Sequence, residues 1–310
     1  MKAHVIGAGI SGPVAAITLA NSGYEVTMYE RRNRYALNSP GILGITPENW
    51  RALNRLGVNV ARYSLGTNML DYFSGSNRFY EGYNITWSNL HNELIHSAIE
   101  RGINVRFGME APKGLTGIRV RAGGVGMAAK DGRPYDYSGY VVHRGLSSIR
   151  VNEEWVTVKD PHKNYLFNAG DIKDGASWAL FTYNSKPPRG TVTTSTIPLI
   201  AWAIPKPFFD VIAMTAEWQM APISDWQAPN TIGADGWSTF TIGDANGGMR
   251  PHTGMGANLG ISEALSIPAM IGRDNIKQIE AENSLVLNRY RQRERGIRLG
   301  YEIMGSALSA

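Results

Sequence analysis

Cysteine is absent from the 310-residue chain, which excludes disulfides, thiolate catalysis and cysteine-ligated zinc. Also absent is any run of about 18 apolar residues, the length that a membrane-spanning helix needs. Before the first glycine stand one lysine and no apolar stretch of the kind a secretory signal carries, so a cytoplasmic location is the expectation. No P-loop lysine motif occurs. The one segment that looks like a zinc helix, His91-Asn92-Glu93-Leu94-Ile95-His96, spaces its histidines five apart. On an α-helix that separates them by about 140° around the axis, so no metal site is expected there.

Charge is sparse as well: 18% of residues are charged, against 43% hydrophobic and 35 glycines. That mixture fits a soluble, loop-rich α/β enzyme and excludes disorder or a collagen-like repeat. At this length about two domains are expected. The formal charge of +5 is local: Arg289, Arg291, Arg293, Arg295 and Arg298 against Glu294 account for +4 of it within one predicted helix. Along that helix Leu287, Tyr290, Ile297, Tyr301 and Met304 recur at helical spacing, making one buried stripe. The arginines then read as a solvated flank, and no nucleic-acid partner is expected.

What is present begins at the N-terminus. Residues 3–30 read as strand, tight turn, helix and strand, with Gly7-Ala8-Gly9-Ile10-Ser11-Gly12 at the turn. Gly7 allows the turn, Gly9 lets backbone approach a pyrophosphate, and Gly12 lets the helix pack closely on the strand. Glu30 closes the second strand 18 residues after Gly12, where an acid accepts hydrogen bonds from an adenosine ribose. An acid there disfavours a 2′-phosphate, so the expected dinucleotide is FAD or NAD and not NADP.

Further along, residues 47–57 and 86–102 have helical periodicity, and the strand INVRFG follows the second. Residues 67–85, with Tyr72, Phe73, Phe79 and Tyr83, read as short strands. From 135 to 200 five β-type segments follow: YSGYVVHRGL, EEWVTVKD, KNYLFNAG, SWALFTYN and TVTTSTIPLIAWAI. A second, mostly antiparallel domain accommodates them. FFDVIAMTAEWQM is expected to be a helix.

Residues 241–264, TIGDANGGMRPHTGMGANLGISEA, place Asp244, a Pro251-His252 pair and glycines 247, 248, 254 and 256 between a strand and a helix. Bare backbone N–H groups and a helix N-terminus would there face an electron-rich ligand. Neither this loop nor the N-terminal unit alone selects one cofactor; together they point to FAD, bound noncovalently.

GAGISG with Glu30 near the start and IGDANGGMRPHTGMGAN near the end resemble the FAD-dependent aromatic hydroxylases of the single-component class, which have the p-hydroxybenzoate hydroxylase fold. TWSNLHNEL, YSGYVVHRGL and GDA…RPHTG…EA are most similar to the 2,6-dihydroxypyridine 3-hydroxylase-like branch. The resemblance implies an α/β protein: a discontinuous Rossmann-like FAD-binding domain (1–66, 87–132 and 231–310) and an antiparallel β-sheet substrate domain (67–86 and 133–230). It implies hydroxylation or epoxidation of a small, electron-rich, aromatic or heteroaromatic substrate through a C4a-hydroperoxyflavin, with O₂ and with NADPH or NADH as electron donor.

Carried onto this chain, the resemblance places Gly7, Gly9, Ile10, Ser11, Gly12, Glu30 and Arg31 around the dinucleotide. Gly243, Asp244, Pro251, Gly254, Gly256, Ala257 and Asn258 would surround the flavin, Asp244 on its ribityl or ribose side and Pro251 near the reactive edge. Candidates for substrate contacts and catalysis are His143, Arg144, Tyr183, Pro251 and His252. His143 and Arg144 also have a plain reading as structural donors on a half-buried strand, and Tyr183 as core. Two departures stand out: Ala122-Gly123-Gly124 replaces an Ala-Asp-Gly motif, and only 13 residues separate Gly108 from Ala122 where relatives insert a β-meander. They leave open a flavoprotein of this fold that no longer oxygenates, such as an isomerase, a cyclase or a binding protein.

Overall fold

The computed structural model describes residues 1–34, 39–70, 79–130, 136–152, 156–160, 165–186, 188–225, 238–248, 251 and 254–271. The Arg-rich segment, Tyr72, Phe73 and His252 lie outside the described residues.

The expected strand-turn-helix-strand opens the fold. β1 (Lys2–Ile6) and β2 (Glu25–Glu30) pair in parallel, Val5 opposite Met28, with α1 (Ser11–Asn21) between them in sequence. Gly23, at φ +85°, stops the helix and turns the chain back. The helix is apolar on nearly every side, Gly12 through Leu19 being buried, because it packs on the sheet and also under α6 (Gly256–Met270). β6 (Asn104–Phe107) joins β2, while β7 (Ile118–Arg121) and β14 (Thr239–Thr241) extend the other edge. The result is a five-stranded, all-parallel sheet in the order β14-β7-β1-β2-β6. Both ends of the described chain therefore build one layer. No strand lies between Phe107 and Ile118.

α2 (Pro47–Arg55) and α3 (Trp87–Glu100) form where the periodicity places them. Each starts at a threonine, Thr46 or Thr86, whose hydroxyl accepts the backbone N–H of Asn49 or Asn89. β3 (Ile42–Ile45), β4 (Leu65–Leu70) and β5 (Phe79–Thr86) make a small antiparallel sheet in the order β3-β5-β4.

The third sheet is antiparallel and six-stranded, in the order β12-β13-β8-β11-β10-β9. Its strands are β8 (Asp136–Ser147), β9 (Val156–Asp160), β10 (Tyr165–Ile172), β11 (Gly175–Tyr183), β12 (Val192–Thr194) and β13 (Trp218–Asp225). One face packs Phe167, Trp178, Leu180 and Trp218 under α5 (Phe208–Ala213). The other gathers Val142, Leu166, Phe181 and Ile223.

Two expectations fail here. FFDVIAMTAEWQM is helical only to Ala213; Trp218 onward is β13, because Trp218 gains an edge-on contact with Trp178 at 5.5 Å only when extended. Pro222 is tolerated in that strand because β12 pairs only with Trp218–Met220, and among the described residues β8 is the neighbour beyond. In TVTTSTIPLIAWAI only Val192–Thr194 is strand, and after Pro198 the chain winds into a short 3₁₀ turn at Leu199–Ala203.

α1 starts against β1 with no slack: a Cβ on Gly12 would sit 1.9 Å from the Gly7 carbonyl oxygen. Gly12→Ala is expected to destabilise the protein by at least about 1–3 kcal/mol, read as a lower urea midpoint. An unchanged midpoint would show that the turn has room.

Candidate active site

A cleft of about 800 Å³ runs along the C-terminal ends of the parallel strands, the edge at which open α/β sheets bind ligands. Its floor is the turn after β1. Gly7, at φ +108°, brings its backbone against Ala122, where a Cβ would come within 2.4 Å of the carbonyl oxygen. Gly9 has nothing within 4 Å of its missing Cβ, so there the backbone itself forms the cleft surface. Gly12 does not line the cleft; its part is the tight packing described above.

Two helices point their N-termini into this space. Gly9, Ile10 and Ser11 line it from the start of α1, Gly254, Gly256 and Ala257 from the start of α6. Neither helix has a side-chain cap: Ile10 and Met255 stand at the positions that Thr46 and Thr86 fill in α2 and α3. First-turn N–H groups need acceptors, and a helix N-terminus carries partial positive charge. An elongated, electron-rich ligand meets both requirements.

Glu30, at the tip of β2, accepts hydrogen bonds from the backbone N–H of Ala8 at 3.0 Å and of Arg32 at 2.9 Å, and pairs with the Arg32 guanidinium at 3.2 Å. Burial pushes its carboxyl up, but these donors outweigh it and hold the group below its ordinary value. A carboxylate therefore faces the cleft beside Arg31, which also lines it. Asp244 is exposed on the same cleft, just beyond β14, and Pro251 lies further along its wall.

Three expected contacts fall elsewhere. Gly243 is buried: its N–H donates to Glu263 at 2.7 Å, and a Cβ would meet the Ser11 hydroxyl at 2.6 Å. Asn258 is buried too. Its side chain accepts from Thr46 N at 3.0 Å and donates to Gly44 O at 2.6 Å, pinning the start of α6 to the end of β3. Tyr183 is 60% exposed and meets Tyr140 edge-on, without lining the cleft.

β8 separates the other two candidates by alternation. Arg144, half-buried, lines the cleft; partial desolvation depresses its basicity, and among the described residues no acid pairs with it. His143 points through the opposite face, where Nε2 meets Thr182 Oγ1 at 3.2 Å. Burial lowers its pKa to about 4.

Several lining residues are not among the expected site residues. Trp87, the segment Gly41–Leu43 and residues 109–112 all face the cleft. So do Gly123 and the short helix α4 (Gly124–Lys130), whose Met127 covers Gly123 so closely that a Cβ there would come within 2.9 Å of the methyl. Lys130 reaches across to Glu110 at 2.8 Å. Ser177 donates to Pro40 O at 2.8 Å, tying the six-stranded sheet to the Gly41–Leu43 wall.

A Rossmann-like layer carrying its cleft at the strand ends, with an antiparallel sheet closing one side, defines a class. The chain has the fold of FAD-binding hydroxylases. Residues 5–42 match the NAD(P)-binding Rossmann-like domain family. Among solved structures the chain is similar to CtdE in complex with FAD and a substrate, at 16% identity and TM-score 0.74, covering 99% of this chain and 89% of that one. It is also similar to Klebsiella pneumoniae HpxO complexed with FAD and uric acid, at 17% identity and TM-score 0.68, with coverages of 99% and 92%. For 2,6-dihydroxypyridine-3-hydroxylase from Arthrobacter nicotinovorans the values are 16%, 0.65, 98% and 90%. At these identities the likeness is one of fold. A comparison of the sequence with curated proteins finds no match. Among the described residues no helix is long and apolar enough to cross a membrane.

The buried His143 has a consequence for acid stability. Its folded pKa of about 4 lies below the ordinary 6.5, so between those values the unfolded chain takes up the proton first. Stability is expected to fall as pH drops from 6.5 toward 4, and His143→Gln to reduce that fall in urea titrations. An identical pH profile in the variant would contradict this.

Proposed function

We propose that this protein is an FAD-dependent monooxygenase that hydroxylates or epoxidises a small, electron-rich aromatic or heteroaromatic molecule, using O₂ and NADH or NADPH. The observation that carries this reading is the pair of helix N-termini on one cleft whose N-cap side chains make no capping bond, with Glu30 at one end and, in its wall, Arg144, which no acid among the described residues pairs. The residues present fit FAD. Open backbone at Gly9 and the start of α1 suit a pyrophosphate, and Glu30 suits an unphosphorylated adenosine ribose. The start of α6 at Gly256 and Ala257 suits the pyrimidine edge of the ring, where negative charge gathers on reduction. When bound, the flavin supplies the activation of dioxygen with electrons from the nicotinamide.

The chain itself supplies position and charge. Gly254, Gly256 and Ala257 hold the ring edge by backbone, while Asp244 accepts from ligand hydroxyls. Arg144, half-buried in the cleft wall, stabilises negative charge on a ring oxygen of the substrate and so makes the adjacent carbon more nucleophilic. Trp87 and Met127 keep that space apolar. FAD titration combined with oxygen consumption tests the reading: the protein is expected to bind FAD and, given NADH or NADPH, to take up oxygen with a phenolic or hydroxypyridine-type substrate. Colourless protein that takes up no FAD contradicts it. Arg144→Met is expected to keep FAD binding and raise KM for such a substrate by about 10–100-fold; an unchanged KM would remove Arg144 from the site.

Gly123 favours a second reading. Relatives of the resembled family place an acid there, and this cleft wall has a glycine under Met127. A flavoprotein that binds FAD without oxygenating is distinguished by very slow bleaching of the flavin by NADH and NADPH, insensitive to added ligand.

A further inference from the structure

His91 belongs to none of the roles above, yet it is buried directly behind the glycine turn, 1% exposed. Its Nε2 lies 2.8 Å from the carbonyl oxygen of Ala8. That oxygen can only accept, so Nε2 must carry the proton and the ring is the Nε2–H tautomer when neutral. On its other side the ring stacks against Trp87 one helical turn earlier, centroids 4.7 Å apart and planes 11° from parallel. Nδ1 is buried without a hydrogen-bond partner among the described residues.

The geometry of a peptide bond gives this contact its meaning. In a trans peptide the C=O and the following N–H point in opposite directions. By drawing the Ala8 carbonyl inward, His91 fixes the plane of the Ala8–Gly9 peptide and with it the direction of the Gly9 N–H. Glu30 holds the preceding amide, accepting from Ala8 N at 3.0 Å. Both peptides of the turn are thus oriented by side chains from different elements, at the point where the cleft reaches bare backbone. We propose that His91 is a positioning residue for the dinucleotide site: it aims the Gly9 N–H at the ligand's diphosphate by donating from Nε2 to Ala8, and Trp87 fixes the ring that does so. This rests on the dinucleotide reading of the cleft.

Protonating His91 would put a second N–H at Nδ1 in a buried place with no acceptor, and the groups facing it oppose the charge on balance. Burial is the largest influence; Arg32 and Arg34 repel a cation, while Glu30 and the Ala8 carbonyl favour it, and the outcome is a pKa below the ordinary histidine value. The ring therefore stays neutral, and its donation continues unchanged, through the physiological range.

Two substitutions separate the donor from the ring. His91→Phe keeps the shape and the stack on Trp87 but cannot donate, whereas His91→Gln keeps an N–H donor of similar reach. FAD and ADP are each titrated against the three proteins, by flavin fluorescence and calorimetry respectively. His91→Phe is expected to weaken both ligands by about 3–10-fold, the worth of one hydrogen bond, and His91→Gln to stay within about twofold of the wild type. Equal affinity in His91→Phe, or equal weakening in both variants, overturns the proposal while leaving the FAD reading intact. Wild-type protein that binds neither FAD nor ADP overturns both. Should His91→Phe not fold, ¹⁵N-histidine spectra of the wild type decide: a neutral Nε2–H ring from pH 8 to 6 is expected, and an Nδ1–H ring overturns the assignment.

Discussion

Ser11 sits against Gly243 and Gly260, and at neither glycine is there room for a side chain: added Cβ atoms would come within 2.6 and 2.1 Å of its hydroxyl. This contact joins residues more than 230 positions apart, and it sets where everything else stands. It holds α1 and α6 close enough for both N-termini to open on one cleft. It also sets the turn after β14 against the start of α1, and Asp244 faces the same cleft as Glu30. The cost of closing so long a loop is offset by the buried apolar faces of α1 and α6, whose Val14, Ile17, Ile261 and Ile267 belong to one core.

Within that frame the cleft is defined more by missing side chains than by present ones. Gly9 leaves backbone bare, and Ile10 and Met255 leave two helices uncapped, while Thr46 and Thr86 cap the helices that do not open on the floor. Polar side chains near the site serve largely to orient it. Glu263 satisfies the Gly243 amide, and Asn258 bridges the α6 start to Gly44 and Thr46. Arg144 is the exception. It is half-buried and unpaired by any described acid, an arrangement that favours an anionic group in the cleft.

The parts legible in the sequence were those fixed by local chemistry. Gly7, Gly9, Gly12 and Glu30 belong to a strand-turn-helix-strand unit, and the structure shows that unit with Gly7 and Gly12 in close packing, Gly9 open and Glu30 at the end of β2. The periodicity of residues 47–57 and 86–102 was equally local. Legibility failed where tertiary partners decide. Trp218–Met220 reads as the tail of a helix until Trp178 and β8 are there to pair with it. His143 and Arg144 look alike as neighbours on a strand, and only the direction of the pleat sends one into the core and the other into the cleft. Gly243 and Asn258, placed at the flavin by the family resemblance, do not line the cleft: Gly243 packs on Ser11, and the Asn258 side chain holds the start of α6 to Gly44 and Thr46. Trp87 is not among the expected site residues, since an apolar residue lining a cleft reads in sequence like one lining a core.

The central claim is that the two helix N-termini, from opposite ends of the chain, grip one extended dinucleotide. Backbone hydrogen exchange with and without ligand tests it most directly. FAD is expected to slow exchange at both Gly7–Gly12 and Gly254–Asn258, whereas ADP, which lacks the ring, is expected to protect the first segment alone. Protection by FAD confined to one segment, or absent from both, would contradict it.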